Sequence, residues 1–282
     1  MDITRFIELG VVSAAAAIVG SMLGLGGGVF LVPIFTLFFG IDQKIAIGAS
    51  AIAVVTNSVV GSSIHLQSRF TNLRLAMLLQ VTMATGATIG AIVGVWAPER
   101  ALNVIFGLVL LYAATSMLLK RTAATAQELS EVDDEWNLKA SYIDPASKRE
   151  ITYVPQQVRA GLGVSGFAGM LSGMLGVGGG VIQVPAMNLL MRIPVKAAAG
   201  TSSFMVGITA VATAFVYYSR EKIDPTVVVP AMIGIFLGSQ AGSRLTRRVK
   251  ARNLVLFFTI ILLYLGISLL LKAANITLPG QK

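Results

Sequence analysis

Apolar positions along the chain run in long blocks divided by short polar breaks, and the blocks fall into two sets of four. The first set covers about 7–39, 45–67, 72–97 and 100–120, and the second about 157–191, 195–218, 226–247 and 252–272. About 20 apolar residues suffice to carry a helix across a hydrocarbon core of about 30 Å, so every block predicts a membrane helix. Between the sets lies 121–155, the one long polar stretch. It holds Glu128, Glu131, Asp133, Asp134, Glu135, Asp144 and Glu150, seven of the 13 acidic residues. It reads as a solvated linker to which no chemistry is assigned, with a short amphipathic helix expected around Glu131 to Tyr142.

The two sets are copies. Gly24-Leu25-Gly26-Gly27-Gly28-Val29 followed by Val32-Pro33 recurs as Gly176-Val177-Gly178-Gly179-Gly180-Val181 followed by Val184-Pro185, an offset of 152 residues. The same offset pairs Lys44 with Lys196, Gly48 with Gly200, Ser50 with Ser202, Gly86 with Gly238, Gly90 with Gly242 and Leu111-Tyr112 with Leu263-Tyr264. A constant offset over some hundred residues marks a duplicated and fused half. The expected organisation is a first transmembrane repeat at 1–120, a polar cytoplasmic linker at 121–155 and a second transmembrane repeat at 156–282.

The opening block of each half is too long for one crossing. Residues 7–39 as a single helix would extend about 50 Å. Three successive glycines cost about 3 kcal/mol in a helix interior, and Pro33 removes a further backbone donor. A break at Gly26–Gly28 is cheaper, and it leaves a short helix from Val29 to Phe39 of about 16 Å. The block is therefore expected to be re-entrant: down, a glycine turn, and a short helix back. If it returns to its starting side, the halves are inverted, and 15 Lys and Arg lie on one face against 7 on the other. If it crosses once, the halves are parallel and the split is 13 against 9. The positive-inside rule favours inversion, with the linker cytoplasmic and both termini outside.

Composition agrees with the pattern. The chain is 55% hydrophobic and 12% charged, with a mean hydropathy of +0.79, where soluble domains carry roughly a quarter charged residues. The net charge of +9 sits in short loops rather than in a basic stripe with interleaved aromatics, so no nucleic-acid partner is expected. With no cysteine, disulfides and thiolate metal sites are excluded. Residues Met1 to Glu8 lack a basic signal-peptide region, so the first segment is expected to remain in the mature protein.

Irregular backbone at membrane depth is tolerated only where protein or a wet cavity surrounds it. A glycine turn presents successive N–H groups, and with the helix N-terminus after it forms a concavity that attracts anions. The expected substrate-binding residues are therefore Gly26, Gly27 and Gly28 facing Gly178, Gly179 and Gly180, a natural cage for a small oxyanion. The segments that follow add hydroxyls: Ser50 in the first half, Thr201 and Ser202 in the second, read as opening their helices and as donors to substrate. Asn57 lies on the face of Ser50 two turns on, and its counterpart is Thr209. Gln183 has no polar counterpart, since Leu31 stands in its place. Simple packing of small residues and local capping are the competing readings. His65, the only histidine, reads as interfacial. Lys44 and Lys196 either attract anions at the mouth or snorkel.

The doubled GxGGGxxxxP strings, the Ala199-Gly200-Thr201-Ser202 that follows the second, and the doubled four-segment plan resemble the TauE/SafE family of sulfite exporters and related anion permeases. The resemblance covers nearly everything except 121–155, and Ala49 departs from it where the second half has Thr201. It implies a secondary transporter that moves sulfite, a sulfonate or a related organosulfur anion across a prokaryotic plasma (inner) membrane, with export the expected direction and one half rocking against the other. The partners expected are the small anion, protons travelling with it, the lipid bilayer and a second copy of the chain in a homodimer. No cofactor, metal or enzymatic activity is expected, because no nucleophile or metal-binding spacing is present. A passive anion channel and a membrane scaffold or assembly partner are the alternatives. Deleting the linker should disable a scaffold and largely spare a carrier.

Overall fold

The computed structural model describes residues 3–23, 27–67, 70–119, 135–143, 150–245 and 251–276. They form α1 (Ile3–Leu23), α2 (Gly28–Leu37), α3 (Gln43–Gln67), α4 (Leu73–Trp96), α5 (Glu99–Leu119), β1 (Ala140–Ile143), β2 (Glu150–Tyr153), α6 (Val158–Leu175), α7 (Gly180–Leu189), α8 (Val195–Ser219), α9 (Pro225–Leu245) and α10 (Ala251–Ala273). Seven of the helices are long and apolar enough to cross a membrane. Large apolar residues such as Met77, Val81, Phe215 and Leu237 lie exposed on the outside, while Ser50, Gln183, Thr201 and Ser202 are fully buried. This inside-out distribution belongs to a polytopic all-α membrane protein.

Both opening blocks are broken at their glycines. α1 ends at Leu23 and α2 begins at Gly28, with Gly27 left-handed at φ 73°. α6 ends at Leu175 and α7 begins at Gly180, with Gly176, Gly178 and Gly179 at φ 67°, 78° and 79°. An L side chain in that region costs roughly 1–2 kcal/mol per residue, so the glycine string is what permits so tight a reversal. The two short helices have 10 residues each, about 15 Å.

Packing exchanges equivalent helices between the halves. α1 lies along α9 and α6 along α4; α2 rests on α3 and α7 on α8; α3 meets α8 and α5 meets α10. The first helix of each half is thus held by the fourth helix of the other. Glycines that the repeat pairs make these contacts close: a Cβ on Gly90 would overlap the Met170 carbonyl of α6, and one on Gly238 the Ala14 carbonyl of α1. Small residues are how helices approach in lipid, where no hydrophobic force drives them together. Along α3 and α8, Val54 clusters with Val206 and Ala210, whereas Ser58 and Ser62 both donate to the Ser203 carbonyl, at 2.6 and 3.2 Å. Ascending α3 means descending α8, so these equivalent helices run antiparallel.

The linker departs from expectation. Residues 131–134 lie outside the described residues, but Glu135 and Trp136 form a turn and Ala140–Ile143 is a strand, not a helix. It pairs antiparallel with β2, Ala140 opposite Tyr153 and Ile143 opposite Glu150. Tyr, Ile and Thr favour a half-buried pleated surface, and the pairing sets Tyr142 and Tyr153 on one face. Nor is this part of the linker solvated: Leu138, Tyr142 and Tyr153 are buried in one cluster with Leu75, Met187, Ile193 and Ala197.

Candidate functional site at the second glycine turn

The two glycine turns meet across Ser50. Its hydroxyl lies 2.8 Å from the Gly176 carbonyl and 3.3 Å from the Gly28 carbonyl, and donates to them. Gly28 packs so near that a Cβ there would stand 2.9 Å from the Gly176 carbonyl. Ser50 does not open its helix. α3 begins at Gln43, and the Asp42 carboxylate accepts from the Lys44 and Ile45 N–H groups at 2.9 and 3.2 Å. Thr201 and Ser202 likewise sit two turns inside α8, whose N-cap is Pro194. The expectation that these three open their helices is corrected, and the competing capping reading falls with it. Thr201 instead accepts the Asn72 N–H at 3.1 Å, joining α8 to the loop that enters α4.

The remaining expected residues spread over both halves. Gly26 lies outside the described residues. At Gly27 a Cβ would fit in ordinary contact, 3.6–3.9 Å from Ala17, Ala16 and Ile235. Asn57 accepts a hydrogen bond from Ser239 of α9. Gly178 sits against Val54 and Val206, and Gly179 against Met83 and Ser172. Gly180 opens α7 and is buried. Gln183, one turn on, donates from Nε2 to Ser165 at 2.8 Å. Lys44 and Lys196 lie in the first turns of α3 and α8, and the side chain of His65, on α3, is outside the described residues.

Several buried polar atoms without partners lie on the elements around the second turn, while others, at Ser13, Gln43, Asn103 and Ser268, lie elsewhere. Neither α2 nor α7 has a side-chain cap, and the first N–H groups of a helix have no partner within it. Ser172 lies beside Gly179 and Gln183 one turn into α7; the Ser172 hydroxyl, the Gln183 Oε1 and the Gln80 Oε1 of α4 are each buried and without a hydrogen-bond partner. Gln80 shares the face of α4 with Met83 and donates at 3.2 Å to Thr209. The Ser202 hydroxyl, one turn from Val206, is also buried and unpartnered. A buried unsatisfied polar group costs roughly 1–3 kcal/mol, so such a grouping is expensive unless something supplies the missing partner. Dipole and amides favour an anion at this helix N-terminus, the serine hydroxyls can donate to it, and the two glutamine oxygens can accept from a protonated one.

Ser172 and Gln80 are absent from the set read in the sequence. A signal existed: at the repeat offset they face Gly20 and Met232, the same polar-against-apolar mismatch that singles out Gln183 against Leu31.

A helical membrane protein with two broken helices meeting in its interior has the build of a transporter. Residues 9–269 match the family model described as sulfite exporter TauE/SafE, and the chain belongs to that family of membrane transporters. It is similar to the probable membrane transporter protein YunE of Bacillus subtilis (strain 168), 24% identical over 272 residues, covering 94% of this chain and 97% of that protein. It is also similar to a probable membrane transporter protein of Xylella fastidiosa (strain 9a5c), 27% identical over 241 residues and 84% of each chain. A shorter likeness, 33% over 113 residues, reaches 39% of this chain and 25% of sulfite exporter TauE/SafE family protein 5 of Arabidopsis thaliana. No solved structure matches the chain significantly.

Proposed function

We propose that the protein is a secondary transporter that exports a small sulfur oxyanion, sulfite or a sulfonate, across a prokaryotic plasma membrane by alternating access. The substrate sits at the start of α7, its oxygens taken by the bare amides near Gly179 and Gly180 and by the Ser172 and Ser202 hydroxyls. Gln183 and Gln80 accept from the proton of a protonated anion, so that charge and proton move together. The observation that carries this reading is the set of unpartnered buried polar atoms on the elements around a helix N-terminus that no side chain caps.

Antiparallel contact between the equivalent helices α3 and α8 supports inverted halves, and the surplus of Lys and Arg supports a cytoplasmic linker. Inverted halves can rock about a central site and so open it to either face in turn.

The test has two arms. Sulfite should raise the melting temperature of the purified protein, since a ligand of the native state alone stabilises it. Proteoliposomes loaded with sulfite should then show saturable counterflow of labelled sulfite. A melting temperature unmoved by sulfite and by simple sulfonates would sink the anion reading. Flux that never saturates would replace the carrier with a channel.

A further inference from the structure

The two ends of α3 are built alike in backbone and unlike in cover. At its start, a cleft of about 470 Å³ is lined by Arg5, Leu9, Ile41, Asp42, Ile45, Asp224, Thr226 and Val227. Here the loop between α8 and α9 folds over the first turns of α3, so closely that a Cβ on Gly48 would overlap the Lys222 carbonyl. At the far end, about 37 Å away along 25 residues of helix, the repeat equivalents do the same. The loop between α3 and α4 folds over the first turns of α8, with Phe70 against Gly200 and the Thr71 hydroxyl donating to the Gly200 carbonyl at 3.3 Å.

What differs is the space beside the loop. The 152-residue offset carries Ile41 and Ile45 of the cleft to Ile193 and Ala197, and Asp224, Thr226 and Val227 to Asn72, Arg74 and Leu75. At this end the linker fills the place. Leu138, Tyr142 and Tyr153 are packed with Ile193, Ala197 and Leu75. The Asn72 amide donates to the Leu138 carbonyl at 2.9 Å and Arg74 to the Asn137 carbonyl at 3.3 Å. Phe70 and Tyr142 meet edge to face with ring centroids 5.3 Å apart. Ile193 and Ala197 are fully buried by this cover.

We propose that the β1–β2 hairpin is the gate of the transport path at its face: docked, it occupies the repeat equivalent of the open cleft, and it must leave before that end can admit or release substrate. The proposal rests on the alternating-access reading above. It follows from comparing repeat equivalents: the cleft beside the start of α3 is open, and the same place beside the start of α8 is shut by Leu138, Tyr142 and Tyr153. Among the described residues no segment covers the cleft as the hairpin covers its repeat equivalent, so the hairpin is what makes these two ends unequal. Its footing is a patch built on three buried side chains and the two backbone carbonyls held by Asn72 and Arg74, a size that suits a part that must dock and undock.

The chain contains no cysteine, so single cysteines report without background. Ala197→Cys lies beneath the hairpin and Ile45→Cys in the equivalent place of the cleft. In the full-length protein in detergent, a bulky maleimide should label Cys at 197 at least tenfold faster when Tyr142→Ala and Tyr153→Ala weaken the docking, while the rate at 45 stays within twofold. An unchanged rate at 197, or acceleration of both positions together, would overturn the gate. In a second arm, Phe70→Cys with Tyr142→Cys is joined by a short bis-methanethiosulfonate, which attaches through two reducible disulfides. The tether should slow labelling at 197 still further and cut sulfite counterflow at least tenfold, with recovery on reduction. Undiminished counterflow under the tether would overturn the proposal. Absence of sulfite flux before tethering would count against the substrate reading, and labelling at 197 would still decide the gate.

Discussion

The second glycine turn and the described part of the first both use left-handed glycine, at Gly179 and Gly27, and differ in the polar groups around it. Both start a ten-residue helix with a proline at its sixth position. Around the first, Gly20, Leu31 and Met232 stand where the second has Ser172, Gln183 and Gln80. Even the serine common to both reveals the difference: Ser165 holds the Gln183 amide, whereas its counterpart Ser13 is buried with no partner. Duplication supplied two equal scaffolds. Ser50 of the first half ties the turns together, and the unpartnered polar atoms near the second turn come from both halves, Gln80 from the first and Ser172, Gln183 and Ser202 from the second.

Substitutions can break that contrast or sharpen it. The largest effect is expected at Gly179. Valine there combines a left-handed backbone with close approach to Ser172 and to the movable end of Met83, a loss of about 2–5 kcal/mol, whereas for Gly27→Val, where a Cβ makes only ordinary contacts, the loss should stay near the backbone cost of about 1–2 kcal/mol. Both variants should insert in membranes and fail to transport. Equal melting temperatures would show the turns to be packed alike.

Next in size is Thr201→Val, which leaves the buried Asn72 N–H without its acceptor and should cost about 1–3 kcal/mol. Thermal unfolding in detergent checks this. Ala49, the first-half equivalent, shows that the bond is not required by the repeat itself. Gln183→Leu copies the first half into the second and frees the Ser165 hydroxyl, a loss of about 1 kcal/mol. The same variant should abolish stabilisation by sulfite, while Leu31→Gln should leave it intact.

Smaller in stability, yet most telling for the site, is Ser172→Ala. Removing a hydroxyl that has no partner should change the melting temperature of the empty protein by a degree or two at most. If the hydroxyl donates to the anion, the sulfite-induced shift should fall sharply. A full shift in this variant would move the substrate elsewhere.

The smallest effect near neutral pH concerns the two faces. Burial, with a lesser contribution from Tyr142 and a hydrogen bond from Asn72 acting the other way, pushes the Tyr153 phenol from its ordinary 10.0 up to about 12. The neutral phenol is thus the form that the docked hairpin favours. Docking is at full strength below pH 10 and weakens as pH rises from about 10 to about 12. Labelling of the cysteine at 197 should accelerate over that interval relative to labelling at 45, after correction for the reagent's own pH dependence.

Much of this molecule follows from the sequence read locally. In lipid every backbone group must find its partner within the segment, so apolar runs longer than about 20 residues had to be helices, and glycines in a row had to be where an overlong one turned. The glycines that the offset pairs, Gly86 with Gly238 and Gly90 with Gly242, sit at close helix contacts, a role that the sequence alone did not assign them. The linker was less legible. Its acidic residues argued for solvent, and only the bundle beneath it reveals that Leu138, Tyr142 and Tyr153 have apolar ground to dock on. The site divides in the same way. The glycine turns were set by what each residue's own φ allows, a property of the chain alone. Which polar atoms lack partners is not such a property. Ser172 and Gln80 matter because α6 and α4, separated by a whole repeat boundary, converge on the start of α7, and only tertiary structure decides what a buried hydroxyl or amide finds within 3 Å.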